Sequence, residues 1–167
     1  MRMVKTMGIA ASVVLLMAGT AMADMSVKLK GGWDGKKVPA GQQCTLFGGK
    51  GKTPPMAVSG LPSGTVWVYV EFNDRDYGPL SRNGGHGVIG YPAKGSSADL
   101  YAVPGLKGSL PGSARVISKA RSSGKYKSSG YLPPCSGGRG NRYEAVVKAV
   151  AADGKVLEKV RVPIGRY

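Results

Sequence analysis

The chain has 167 residues, with 24 Lys and Arg against nine Asp and Glu, a net charge of +15, one histidine and two cysteines. That length fits one ordinary domain, and one histidine beside two cysteines argues against a zinc site. So large a cationic excess favours anionic partners such as lipid headgroups, lipopolysaccharide, acidic glycans or nucleic acid. The lysines are scattered without a run of five like charges, so they also read as a solvated basic surface.

Residues 1–23 read as a secretory signal peptide. Arg2 and Lys5 form a positive start, Ile9 to Met17 is apolar except for Ser12, and Ala21-Met22-Ala23 is the small-x-small pattern that precedes cleavage. The apolar stretch is shorter than the ~20 residues of a membrane span. Residues 24–167 are then a single mature domain starting at or near Asp24, with no transmembrane segment and a periplasmic or secreted location. Export makes nucleic acid the least expected partner. It also makes a Cys44–Cys135 disulfide the default, with two separate thiols as the alternative.

The mature part reads as β with long loops. Met25, Val27 and Leu29 alternate with Ser26, Lys28 and Lys30, which predicts a first strand. Residues 31–64 are rich in Gly, Pro and Lys and read mostly as loop. Thr65 to Phe72 is the strongest strand, β-branched or aromatic apart from Glu71, and is expected to be buried on both faces. A second short strand runs from His86 to Tyr91 and ends at Pro92. Residues 93–140 show little regular pattern beyond a short element at Ala114 to Ala120. Arg142 to Ala152 is a further strand candidate whose alanines also permit helix, Asp153-Gly154 is a hairpin turn, and Lys155 to Val162 is a last strand with Val156, Val160 and Val162 on one face.

Catalytic signatures are scarce. Gly51-Lys52-Thr53 looks like the end of a phosphate-binding loop, but position 46 is leucine where that motif needs glycine. No Gly-x-Ser-x-Gly elbow is present, and nothing calls for a cofactor. One local group stands out. Asp74 and Asp76 follow the strongest strand and His86 opens the next, so both carboxylates and the imidazole are placed to gather at one end of a sheet. The same residues also read as a polar turn beside a packed histidine.

Taken in order, several segments resemble the phosphatidylethanolamine-binding protein family, including its bacterial Raf kinase inhibitor-like branch. Gly51-Lys52-Thr53-Pro54-Pro55-Met56 resembles its entry segment, and Leu61-Pro62-Ser63-Gly64-Thr65 the turn into its central strand. Phe72-Asn73-Asp74-Arg75-Asp76 is similar to the strand end carrying Asp-Pro-Asp, and Gly85-His86-Gly87 through Pro92 to the strand beginning His-Trp. Gly130-Tyr131-Leu132-Pro133-Pro134-Cys135 resembles the Tyr-x-Gly-Pro-Cys-Pro-Pro loop, and Asn141-Arg142-Tyr143 stands where the family has His-Arg-Tyr. The departures are Gly87 for tryptophan, Arg75 for proline and Asn141 for histidine.

The resemblance implies a mainly β, Greek-key-like sandwich with short peripheral helices and long loops. It also implies a shallow pocket for phosphate-like or carboxylate-like anions, formed by Asp74, His86, Pro134 and Tyr143 with Asn141 in place of a histidine. Asp74 is expected to orient His86 by hydrogen bonding. The function expected first is an exported, non-enzymatic binding protein for a small anionic ligand or anionic lipid headgroup, with room for a protein partner. The second is an inhibitor or interaction module with a vestigial pocket, and the least favoured a His/Asp hydrolase.

Overall fold

The computed structural model describes residues 24–167; the expected signal peptide, residues 1–23, lies outside the described residues. Eight strands form two antiparallel sheets. The smaller holds β1 (Ser26–Leu29), β2 (Met56–Ser59) and β5 (Ser97–Leu100) in the order β1-β2-β5. The larger holds β3 (Thr65–Asp74), β4 (Val88–Pro92), β6 (Arg115–Ser118), β7 (Arg142–Ala151) and β8 (Val156–Arg166) in the order β6-β4-β3-β7-β8. Among the described residues the only helical pieces are single 3-10 turns at Thr45–Phe47, Gly78–Leu80 and Gly124–Tyr126. The expected short helices are reduced to these turns, each in a loop whose Gly, Ser or Pro content keeps helix propensity low.

The two sheets share one core. Val68, Val70 and Phe72 of β3, Ile89 of β4 and Ala145, Val147 and Ala149 of β7 meet Met56, Val58 and Leu100 from the smaller sheet. Alternation along each strand produces this, because successive side chains point to opposite faces. The alternation of β1 works as its sequence predicts, with Met25 buried and Val27 and Leu29 packed against the core.

The central strand departs from expectation. Only one face of β3 enters the core; Trp67, Tyr69 and Glu71 on the other are half-buried. The last hairpin differs too. The ladder passes from Ala149–Glu158 to Val150–Val156 and skips Leu157. This bulge reverses the side-chain alternation, so Leu157 packs on the core while Val156 is exposed. The strands β2 and β5 lie in regions that read as loop. Each has four residues, too few for a period to show against their Gly, Pro and Ser neighbours.

Tyr131 is 1% exposed and stacks against Phe72 with ring centroids 4.6 Å apart. Its hydroxyl is the one buried side-chain polar atom without a hydrogen bond among the described residues, and burial raises its pKa. An unpaired buried donor is costly, whereas the ring packing is untouched by removing it. Tyr131→Phe is therefore expected to raise stability by about 1 kcal/mol, read from urea unfolding. A loss of that size would show that the hydroxyl has a partner in solution.

Candidate functional site

A cavity of about 290 Å³ opens at one end of the larger sheet and is lined by Asp74, His86, Asn141 and Tyr143. The sheet register brings them together. Asp74, the last residue of β3, lies directly opposite Tyr143 near the start of β7. His86 precedes β4 but continues its ladder, since its N–H donates to the Phe72 carbonyl at 2.8 Å and Phe72 N–H donates to the Gly87 carbonyl at 3.0 Å. The His86 ring meets the Tyr143 ring edge-on, with centroids 5.4 Å apart.

Pro134 is not part of the lining. It is buried behind the wall, where its carbonyl accepts the Cys44 N–H at 2.9 Å, and its neighbours Leu132 and Cys135 face the cavity instead. Asp76 also turns away. It accepts from the Arg142 N–H at 2.7 Å and pairs with the Arg142 guanidinium, which holds its carboxyl down at about 2.

The hydrogen bonding differs from the expected Asp74–His86 pair. His86 Nδ1 is 2.8 Å from the Leu132 carbonyl, and the Leu132 N–H donates to the His86 carbonyl at 2.8 Å. Leu132 therefore grips both the ring and the backbone of His86. A carbonyl can only accept, so Nδ1 carries the proton and Nε2 presents a lone pair. Burial pushes the His86 pKa below its ordinary value, outweighing the Leu132 contact and the charge of Asp74. The carboxylate of Asp74 is occupied elsewhere, accepting from Asn141 Nδ2 at 2.8 Å and from the Asp76 N–H at 3.0 Å. The Tyr143 hydroxyl accepts from the Cys135 N–H at 3.1 Å, and its pKa is raised by burial.

Each of the three unusual residues fits its place. Gly87 has φ +107°, and a Cβ there would sit 2.8 Å from the Gly130 carbonyl oxygen, so no larger side chain suits this backbone. The Arg75 N–H donates to the Arg142 carbonyl at 2.8 Å, a bond proline cannot make, and its guanidinium pairs with Glu144. Asn141 spends one amide proton on Asp74.

Sequence reading missed most of the cation supply. Arg121 and Arg139 both line the cavity, together with Tyr77, Tyr126 and Ser136. The Arg121 guanidinium donates to the carbonyls of Pro79, Arg82 and Asn83, and its N–H to the Gly85 carbonyl. Arg139 makes no side-chain hydrogen bond to any described residue. A lone cation inside Ser136-Gly137-Gly138-Arg139-Gly140, two residues before Asn141, was the available signal. Arg121 had none, because its position depends on bonds to the segment from Pro79 to Gly85, about 40 residues away in the chain.

Behind the cavity lies a small second core of Cys44, Leu80, Ala120, Leu132 and Cys135. Cys44 and Cys135 are disulfide-bonded with Cα atoms 5.2 Å apart, closing a sequence separation of 91 residues.

No family model and no curated protein matches the chain. Among solved structures it is similar to the crystal structure of a protein described as a phosphatidylethanolamine-binding protein homologue from Chlamydia trachomatis, with a TM-score of 0.52, 21% sequence identity, and coverage of 86% of this chain and 97% of that chain. At that identity the likeness concerns the fold. The architecture is mainly β, a two-sheet sandwich of the phosphatidylethanolamine-binding type.

Two outcomes follow from this geometry. Removing the disulfide by Cys44→Ser should lower stability by about 2–5 kcal/mol, measured by urea unfolding with Cys135→Ser as its match. For His86 the folded pKa is depressed, so its contribution to stability is complete above the unfolded value of about 6.5 and is lost as pH falls below it. Stability should decline by at most about 1.4 kcal/mol per pH unit from this proton, and His86→Asn should flatten that part of the profile. NMR of the single histidine should give a midpoint below 6.5 and the Nδ1–H tautomer; a midpoint above 7 would contradict the buried neutral ring.

Proposed function

We propose that this chain is an exported, non-enzymatic binding protein whose cavity takes a small anion of the phosphate or carboxylate type, free or carried on a lipid headgroup. The observation that carries this reading is the meeting of His86, Tyr143, Arg121 and Arg139 around one cavity whose only carboxylate, Asp74, is already held by Asn141 and the Asp76 N–H. An anion entering the cavity faces two permanent guanidinium charges and a carboxylate whose lone pairs are partly spent. The Chlamydia trachomatis structure supports it by fold, since that protein is described as a homologue of phosphatidylethanolamine-binding proteins.

The state of His86 sets the pH dependence. Neutral His86 offers a lone pair through Nε2, which repels a fully ionised oxyanion and welcomes a protonated one. Binding is therefore coupled to proton uptake, by the imidazole or by the ligand, and tightens as pH falls. The Asp74–His86 hydrogen bond that the hydrolase reading invokes is not made; His86 Nδ1 faces the Leu132 carbonyl.

Titration with inorganic phosphate and with phosphoethanolamine, followed through the His86 ring signals, tests the proposal. Saturable shifts that strengthen from pH 7.5 to about 5.5 are expected. Followed by calorimetry instead, phosphate binding should be lost in His86→Ala and weakened by about tenfold in Arg139→Ala. Asn141→His should strengthen binding, because Asp74 would hold the new imidazole in its charged form. Unchanged spectra at every pH would leave the interaction-module reading standing.

A further inference from the structure

The core accounts for one face of the larger sheet; its other face has a composition that packing does not require. The ladder register places Trp67, Tyr69 and Glu71 of β3 beside Val150, Lys148 and Val146 of β7, and these beside Val156, Lys159 and Arg161 of β8. Arg115 on β6 pairs with Gly90, and its guanidinium lies over the Trp67 ring, 5.7 Å from the centroid. Gly90 leaves space on β4, where a Cβ would meet Ile117 at 2.7 Å and Tyr69 at 3.2 Å. Ile117 and Tyr69 therefore close over that strand. The result is an aromatic floor with cations fixed on it.

Toward the β3 end of this face lies a dip of about 90 Å³ lined by four cations, Arg82, Lys148, Lys159 and Arg161, with Glu71 as its one carboxylate. Glu71 pairs with Lys148, and Arg161 pairs with Glu144, which Arg75 also holds. Arg82 and Lys159 are exposed and have no acidic partner among the described residues. A surface that gathers cations beyond the acids available to neutralise them works against its own stability unless an anion meets it.

We propose that this outer face of the five-stranded sheet binds an acidic polysaccharide, one anionic substituent seated in the dip between Arg82 and Lys159 and the chain running across the sheet toward Arg115. Charge complementarity and shape select this occupant. Cations on β6, β7 and β8 are spread across strands spaced about 4.8 Å apart, which suits a polymer with repeated charges better than a single small ion. The twist of the sheet makes the face a saddle, which follows a linear chain more closely than it meets a flat bilayer. Single-stranded nucleic acid needs open ring faces for its bases, and here one Trp67 face is covered by Arg115 while Tyr69 is half-buried and packs with Ile117 around Gly90. The face is separate from the cavity at the sheet end, so this proposal stands or falls independently of the anion reading above.

The test is calorimetric titration of the full mature chain with a heparin-derived oligosaccharide at about 0.15 M salt, where long-range attraction between exposed charges is largely screened. Lys159→Glu and Arg82→Glu should each weaken binding by about tenfold. Lys28→Glu, the same charge change on the outer side of the smaller sheet, should weaken it less than about twofold. The phosphate titration of the His86 signals should be unaltered in Lys159→Glu. Equal losses for Lys28→Glu and Lys159→Glu would reduce the effect to net charge and overturn the proposal. Absence of heparin binding, or tighter Lys159-dependent binding of single-stranded DNA or phosphatidylglycerol vesicles, would overturn it as well.

Discussion

The segment from Tyr131 to Ser136 has no regular secondary structure, yet the arrangement at the end of the larger sheet rests on how it is held. The disulfide ties Cys135 to Cys44, and the Cys44 N–H donates back to the Pro134 carbonyl. Leu132 is bonded to His86 twice, by backbone and by ring. The Cys135 N–H is bonded to the Tyr143 hydroxyl. A loop normally carries unsatisfied backbone groups and stays at the surface. This one is buried with its groups met partly by backbone, from His86, Cys44 and Leu106, and partly by two side chains that line the cavity, the His86 ring and the Tyr143 hydroxyl. The Leu132–His86 and Cys135–Tyr143 bonds therefore both hold the wall and orient the site.

Burial then decides which groups in the site carry charge. His86 is removed from water and given a carbonyl rather than a carboxylate, so its neutral form is favoured. Asp74 keeps its hydrogen bonds to Asn141 and the Asp76 N–H, while Asp76 faces Arg142 outside the cavity. The permanent positive charge comes from Arg121 and Arg139, which a deep histidine cannot supply at neutral pH. One of them is immobilised by three carbonyls and the other sits on a glycine-rich turn. The site thus combines a cation held by backbone carbonyls, a second without a side-chain hydrogen bond among the described residues, and a titratable acceptor.

Much of the fold was legible along the chain. The β1 alternation, the long apolar run of β3 and the Asp153-Gly154 turn are local signals, because strand period and turn chemistry act over a few residues. Short β2 and β5 were not legible, and neither was the bulge at Leu157 that turns Val156 out of the core, since register belongs to a pair of strands. The half-exposed face of β3 misled for a related reason. Trp67 and Tyr69 read as core residues by type, and only the layering of the two sheets shows which side is covered.

The site divides in the same way. Sequence by itself determined which groups were available: a single histidine, an acidic pair closing the strongest strand, Tyr143 after Asn141, and two cysteines with no competitor. Tertiary structure decided what they do. It placed Asp74 opposite Tyr143, gave His86 to Leu132 instead of to Asp74, set Pro134 behind the wall, turned Asp76 outward and brought in Arg121 from the segment that follows β6. Residue type is a property of the chain and is read directly. Hydrogen-bond partner, burial and the resulting charge state depend on distances between segments tens of residues apart, and only the folded register sets those.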